Sequence, residues 1–262
     1  MAEHSTSASE AWRGYRPAAG DFADRVVMVT GATAGIGRAV ARELVRAGAS
    51  VILHGRNEKA LEALYQELKP LGPEPSVAQL DLERAQGPEY QALTAAIEGR
   101  YGRLDGLLHN AAILGDRSPI EHYDIGLWQR VLLVDLTAPF ILTRCLLPLL
   151  RNSADASVLF TTSGVGHRGR AYWGAYAAAK AGTENLAEVL ADELESTSIR
   201  VNVINPGRTR TRMRARAYPA ENPASVPTPE SAAPTYLYLL GAASRGVHGQ
   251  RVEVQEPSVP AR

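Results

Sequence analysis

The chain has 262 residues, one cysteine, and 28 basic against 28 acidic side chains, so its formal net charge is zero. That length suits one α/β domain with a large core, and the balanced charge gives no reason to expect nucleic acid or an anionic membrane as partner. The lone thiol, Cys145, excludes an intrachain disulfide and suits a reducing, cytoplasmic setting; it lies in an apolar run and reads as a buried structural residue.

Met1 to Arg13 is polar and small, without the apolar stretch of a secretory signal. No run of about 18 apolar residues marks a transmembrane helix. Residues 1–20 read as a disordered or loosely attached extension, and the folded domain is expected over 21–262. Val26 to Thr30 is the first strand, and a helix with Val40, Leu44 and Val45 on one face follows until Gly48. Val51 to His54 is the second strand, and Asn57 caps a helix that ends before Pro70. Val77 to Leu80 and Leu104 to His109 are the third and fourth strands, with a helix of about 12 residues between them.

A long helix is expected over Ile125 to Leu150, kinked or broken by Pro139 and Pro148. Ser157 to Thr162 is a fifth strand, Ala175 to Glu195 an amphipathic helix, and Ile199 to Ile204 a sixth strand. Pro206 to Pro229 is rich in Pro and Arg and has little periodicity. A helix from about Glu230 to Leu240 and a strand at Arg251 to Gln255 close the chain. Seven strands alternating with helices predict an α/β fold: one doubly wound parallel sheet with helices on both faces.

The first strand-to-helix turn reads Thr30-Gly31-Ala32-Thr33-Ala34-Gly35-Ile36-Gly37. Glycines there let the backbone turn tightly and approach a pyrophosphate, to which the next helix offers free N–H groups. The spacing is Gly-x-x-x-Gly-x-Gly; a structural turn is the alternative. An acid at the end of the second strand would accept from both adenosine ribose hydroxyls and favour NAD. Here the strand ends His54-Gly55-Arg56-Asn57, so Arg56 is a candidate for a 2′-phosphate, against a solvated residue before a helix. Asp81, after the third strand, can accept from an adenine amino group or serve as a turn acid. Asn110-Ala111-Ala112 ends the fourth strand with small residues that admit a flat ligand, while Asn110 can tie neighbouring strands.

Tyr176 and Lys180 stand four residues apart, on one face of a predicted helix. An ammonium near a phenol favours the phenolate, so such a Tyr can exchange a proton with a substrate oxygen. Ser163, thirteen residues before Tyr176, ends the fifth strand and can hold a carbonyl oxygen or merely begin a turn. The six histidines are scattered without paired spacing or a Cys partner, so no metal site is expected.

Taken together, the glycine turn, Asn110-Ala111-Ala112, Ser163, Tyr176, Lys180 and Asn205-Pro206-Gly207 resemble, in order and spacing, the classical short-chain dehydrogenase/reductase (SDR) superfamily over about residues 22–256. More narrowly, Tyr172 to Ala178 and Asn205 to Thr211 are similar to YciK-type bacterial oxidoreductases. The resemblance implies a single-domain Rossmann-type fold that moves a hydride between a nicotinamide and a carbonyl or alcohol. It implies Tyr176 as acid/base, Ser163 as substrate holder, and Lys180 as ribose ligand and tuner of Tyr176. Gly31, Thr33, Gly35 and Gly37 would form the phosphate turn. Ile36 would back the nicotinamide, and Pro206, Gly207 and Thr211 would border the diphosphate or carboxamide. NADP(H) is the preferred cofactor by way of Arg56, with NAD(H) the second option.

Three departures stand out. The superfamily's catalytic Asn is replaced by Asp135, which would offset Lys180 if ionised and mimic Asn if buried and protonated. Ala34 occupies a position that some NADP-preferring members fill with a basic residue. The C-terminus reads Val254-Gln255-Glu256-Pro257, which does not match the family's usual end-to-end subunit contact.

A substrate loop is expected over about 207–229, where Arg208, Arg210, Arg212, Arg214 and Arg216 could attract an anionic carbonyl compound or form a solvated loop paired with Glu221 and Glu230. His167, Tyr172 and Trp173 are candidates to wall the pocket, Trp173 alternatively for a subunit interface. A homodimer or homotetramer is expected through the helices around Leu127 to Leu150 and Ala175 to Leu194. Two other functions share this fold. A non-catalytic NADP(H) sensor predicts loss of Tyr176 or Lys180, both present here. An isomerase or dehydratase predicts a larger C-terminal region than the 56 residues after Pro206.

Overall fold

In the computed structural model, which describes residues 11–12 and 14–255, seven strands form one parallel sheet in the order β3-β2-β1-β4-β5-β6-β7. These are β1 Val26–Thr30, β2 Ser50–Gly55, β3 Ser76–Gln79, β4 Gly106–His109, β5 Ala156–Thr161, β6 Ile199–Asn205 and β7 Arg251–Glu253. The period-two alternation of a strand sends Val27 and Val29 to one face and Val26 and Met28 to the other. The first face is covered by α1 (Gly35–Arg46), α2 (Glu58–Leu68) and α9 (Pro229–Leu240), through Leu44, Leu61 and Leu237. The second is covered by α3 (Gly87–Tyr101), α5 (Ala138–Arg151) and α7 (Gly174–Leu194), through Tyr90, Leu146 and Leu190. Burying each Leu of this kind contributes about 1.5–3 kcal/mol. Asn57 caps α2 by accepting from the Ala60 N–H at 2.9 Å.

Strand order reverses between β2-β1 and β4-β5, which opens a crevice at the carboxyl ends of β1 and β4. The Val29↔Leu108 register sets Thr30 level with His109, so both loops leave the sheet side by side.

The long helix is divided into α4 (Ile125–Leu132), a π turn at Leu133–Thr137 and α5. Pro139 lacks the N–H that would bond the carbonyl four residues earlier, that of Asp135. The break therefore falls just before Pro139, while α5 runs through Pro148. Ile125–Arg151 is also long and apolar enough to cross a membrane, although Arg130, Asp135 and Arg144 interrupt its apolar run; in this fold Val131, Leu142, Leu146 and Leu149 are buried in the protein.

Pro206 to Pro229 contains more structure than its periodicity suggests: α8 (Arg212–Ala217), capped by Thr211, and a 3-10 turn at Pro223–Ser225. Residues 11–12 and 14–20 of the expected loose extension also differ. Trp12 Nε1 donates to the Glu253 carbonyl at 3.3 Å, and the Tyr15 ring packs edge-on against Tyr238. The remaining extension, residues 1–10 and 13, lies outside the described residues. Cys145 is half-buried beside the second core rather than sealed in it.

Candidate active site

A cavity of about 940 Å³ follows the crevice, bordered by the β1–α1 turn, the ends of β2 to β6, Ser163 ahead of the short helix α6 (Gly164–His167), α7 and α8. Gly31 adopts φ +64°, and a Cβ on it would stand 2.9 Å from Ala111 Cα. A Cβ on Gly37 would stand 2.3 Å from the Gly31 carbonyl oxygen. The turn therefore closes onto the end of β4 only with glycine at both places. Ala34 caps α1 without a side-chain acceptor, which leaves first-turn N–H groups for an anion. Thr33, Gly35 and Ile36 line the same wall. Thr30 Oγ1 accepts from the Asn110 and Ala111 N–H groups at 2.9 and 3.0 Å, and Asn110 Nδ2 donates to the Thr30 carbonyl at 3.1 Å. Asn110 thus ties β1 to β4 and shapes the floor of the crevice.

At the β2 end, Arg56 is 63% exposed and reaches Glu83 at 3.8 Å, with no carboxylate on the strand itself. Asp81 lines the cavity and accepts from the Glu83 N–H at 3.1 Å, the turn role its spacing allows. Arg38 and His54 are among the lining residues that the motif reading passed over. Arg38, directly after Gly37, pairs with Glu67 and was readable from its place behind the glycine turn. His54 is buried with neither ring nitrogen hydrogen-bonded, and burial pushes it down to about 4; nothing local distinguished it from a strand residue.

Ser163, Tyr176 and Lys180 come from the end of β5 and from α7 and meet in this cavity. Ser163 precedes α6 but uses no side-chain capping bond. Tyr176 and Lys180 share a face of α7, as their spacing predicted, and Lys180 Nζ stands 5.7 Å from the phenol ring centre. Lys180 Nζ donates to the Thr161 carbonyl at 3.1 Å and lies 3.9 Å from Asp135 Oδ2, both side chains being almost fully buried. Asp135 sits in the π turn. Its Oδ1 accepts from the Ile113 N–H at 2.8 Å, its Oδ2 has no hydrogen-bond partner, and its freed carbonyl accepts from Thr183 Oγ1 at 2.9 Å.

These contacts change the expected electrostatics. Burial pushes the Asp135 carboxyl up to about 7, opposed by Lys180 and the Ile113 N–H. Burial pulls Lys180 below its ordinary value, and Asp135 works against that. Tyr176 was expected to be lowered by Lys180. Burial first, then Asp135 and Tyr236, instead raise the phenol, with the facing Ser163 hydroxyl opposing. The physical reason is that a phenolate there would be desolvated and would face the Asp135 carboxyl, which outweighs the bond to Ser163.

Beyond Tyr176, Pro206, Gly207 and Thr211 border the cavity. Gln255 Nε2 donates to the Pro206 and Arg208 carbonyls at 2.9 and 2.8 Å, which gives the divergent C-terminus a local task. The Thr211 hydroxyl is engaged in capping α8, while its methyl approaches Gly35. Leu114, Trp173, Met213 and Tyr218 line the far wall. His167 and Tyr172 do not line the cavity; they are largely exposed, and only Trp173 of the three candidates faces it. Among the described residues no three metal-ligating side chains gather.

This arrangement has counterparts. A family model described as short chain dehydrogenase matches residues 25–222. The Escherichia coli K12 oxidoreductase YciK, itself uncharacterised, is 45% identical over 94% of this chain and 98% of its own. The structure of a short-chain dehydrogenase from Pseudomonas syringae superposes with a TM-score of 0.90 at 49% identity, covering 92% of this chain and 98% of that one. One from Escherichia coli CFT073, in complex with NADPH, gives 0.89 at 46% identity over 91% of this chain and all of the other. The glycine turn, the strand order and the Ser163, Tyr176 and Lys180 cluster thus belong to a chain that is a member of the short-chain dehydrogenase/reductase family of oxidoreductases, of the YciK type.

Proposed function

We propose that the protein is an NADP(H)-dependent oxidoreductase that interconverts a carbonyl compound and its alcohol, with NAD(H) as a weaker alternative. The observation that carries this reading is the meeting of Ser163, Tyr176 and Lys180 in one cavity with the Gly31–Gly37 turn and Arg56. The NADPH complex of the Escherichia coli CFT073 relative supports the cofactor assignment. Gly31, Thr33, Gly35, Ile36 and Gly37 would hold the pyrophosphate side. Arg56 would meet a 2′-phosphate, Asp81 and Asn110 would border the adenosine, and Pro206, Gly207 and Thr211 would border the nicotinamide half. When bound, the nicotinamide supplies or accepts the hydride.

The protein's own part is proton transfer and orientation. The Ser163 hydroxyl holds the substrate oxygen. The Tyr176 phenol gives it a proton in reduction and takes one in oxidation. Raised above its ordinary value, the phenol is the protonated species at neutral pH and a weaker acid than a free tyrosine. Lys180 as an ammonium favours the phenolate, whereas an ionised Asp135 favours the phenol, so the pair tunes Tyr176 between them.

Purified protein should consume NADPH against a panel of diketones, aromatic aldehydes and keto acids. Tyr176→Phe should lose at least about 100-fold in turnover while still binding NADPH. Retained turnover overturns the acid/base role, and binding without turnover on any carbonyl favours a sensor. A cytoplasmic homodimer or homotetramer through α4, α5 and α7 is part of the reading. It is supported by Phe140 and Val189, large apolar side chains about half exposed on α5 and α7, and is checked by light scattering.

A further inference from the structure

We infer that Glu83 sets how strongly the protein prefers a 2′-phosphorylated dinucleotide, by competing with the phosphate for Arg56 while Arg130 offsets part of its charge; this rests on the proposal that Arg56 meets the 2′-phosphate. β2 ends without a carboxylate, yet the fold brings one to the same place from another segment. Glu83 stands in the loop between β3 and α3 and lines the cavity together with Arg56 and Asp81. Its Oε2 lies 3.8 Å from Arg56 Nη1, and its Oε1 lies 2.8 Å from Nε of Arg130 on α4. The loop holds it there, because the Glu83 N–H donates to Asp81 Oδ1 at 3.1 Å. One carboxylate thus has a guanidinium at each oxygen, and one of the two is the candidate phosphate ligand.

Arg56 is the partner that is free to leave. Its backbone is fixed: its carbonyl accepts from Gln79 Nε2 at 3.3 Å, and the next residue, Asn57, caps α2. Its side chain is mostly exposed, and its 3.8 Å approach to Glu83 is an ion pair too long for a hydrogen bond. Such a pair holds weakly in water. Other arginines around the cavity are held harder, Arg38 and Arg42 by Glu67 and Arg214 by Glu221 at 2.7 and 2.8 Å. A 2′-phosphate brought to Arg56 gains a charge-assisted bond but comes within a few ångströms of the Glu83 carboxylate, which repels it. NAD lacks that phosphate and meets no such penalty. Arg130 lessens the repulsion by neutralising Glu83 at its other oxygen. The acid that would favour NAD from the end of β2 is thus supplied through space, and it is blunted by a cation of its own. A unit charge this close to a phosphate in a water-open site is worth about fivefold in affinity.

The test is titration calorimetry of the full chain with NADP and with NAD, which needs neither a substrate nor turnover. The quantity read is the ratio of the two dissociation constants, with the native fold of each variant confirmed by circular dichroism. In Glu83→Gln, which keeps the side chain's shape, NADP should bind about fivefold tighter while NAD stays within about twofold of wild type. In Arg130→Ala, NADP should bind about threefold weaker, because Glu83 then keeps its full charge and has Arg56 as its one remaining cation. Both shifts should shrink at about 1 M salt, where charges are screened beyond about 3 Å. If Glu83 only holds its loop, both cofactors weaken together in both variants. That result, or an unchanged or lowered preference for NADP in Glu83→Gln, overturns the proposal. Arg56→Ala, measured alongside, separates this inference from the reading beneath it. Where Arg56→Ala lowers the preference and Glu83→Gln does not raise it, Glu83 has no part and Arg56 keeps the phosphate. Where Arg56→Ala weakens both cofactors equally, the phosphate contact itself falls, and the competition with Glu83 falls with it.

Discussion

Replacing Asp135 by Asn keeps the side chain's size and the Oδ1 acceptor for the Ile113 N–H but removes the ionisable oxygen that faces Lys180 at 3.9 Å. In the folded protein that carboxyl is displaced from 3.8 to about 7, chiefly by burial. At about 1.4 kcal/mol per tenfold change in proton affinity, the displacement is worth about 4 kcal/mol. The folded state binds the proton more tightly than the unfolded chain, so this contribution is fully present below pH 3.8 and is lost as pH rises to about 7. Roughly 2.5 kcal/mol of the loss falls between pH 5 and pH 7.5. His54 and His109, pushed down by burial to about 4 and about 3, act in the opposite sense, favouring the fold as pH rises toward 6.5. They are common to both proteins and cancel in the difference. Lys180 lacks a charged partner both in the variant and in the wild type at low pH, so it too leaves the difference to Asp135. The Tm of Asp135→Asn minus that of wild type should therefore climb by roughly 5–10 °C from pH 5 to pH 7.5 and then level off. Thermal melts at half-unit pH steps measure this directly. A difference constant within a degree across that range would refute the reasoning, because Asp135 would then titrate as an ordinary carboxylate.

Other consequences follow from single contacts. Arg56 is mostly exposed and only 3.8 Å from Glu83, so Arg56→Ala should leave stability within about 0.5 kcal/mol. If it meets the 2′-phosphate, the same change costs about 1.5–3 kcal/mol in NADPH affinity, about 10- to 150-fold, with little effect on NADH, as titration calorimetry would reveal. Equal losses for the two cofactors would exclude the phosphate contact. Gly37→Ala would set a methyl 2.3 Å from the Gly31 carbonyl oxygen; the turn must shift, at a cost of about 1–3 kcal/mol, and NADPH binding should fall at least tenfold. Thr30→Val is nearly isosteric but strips the Asn110 and Ala111 N–H groups of their acceptor, so chemical denaturation should register a loss of about 2 kcal/mol, and a neutral result would mean that water replaces the hydroxyl.

Some of this was legible before any coordinates. Seven strands and the helices between them follow from apolar runs and periodicity, because such patterns report which face of a segment is buried. The Asn57 cap, the glycine turn and the shared face of Tyr176 and Lys180 are equally local: each is decided within a few residues by backbone geometry. The π turn was half visible, since Pro139 announces a break but not that the turn would carry Asp135 inward. The rest needed the tertiary structure. Asp135 meets Lys180 from another helix, Arg117 reaches the carbonyl of Ala217 100 positions away, and Glu221 gathers Arg208 and Arg214 into the wall beside Trp173. Residue type and spacing supplied the candidates. Burial decided their chemistry, since the cost of charge depends on every atom packed around it, most of them distant in the chain.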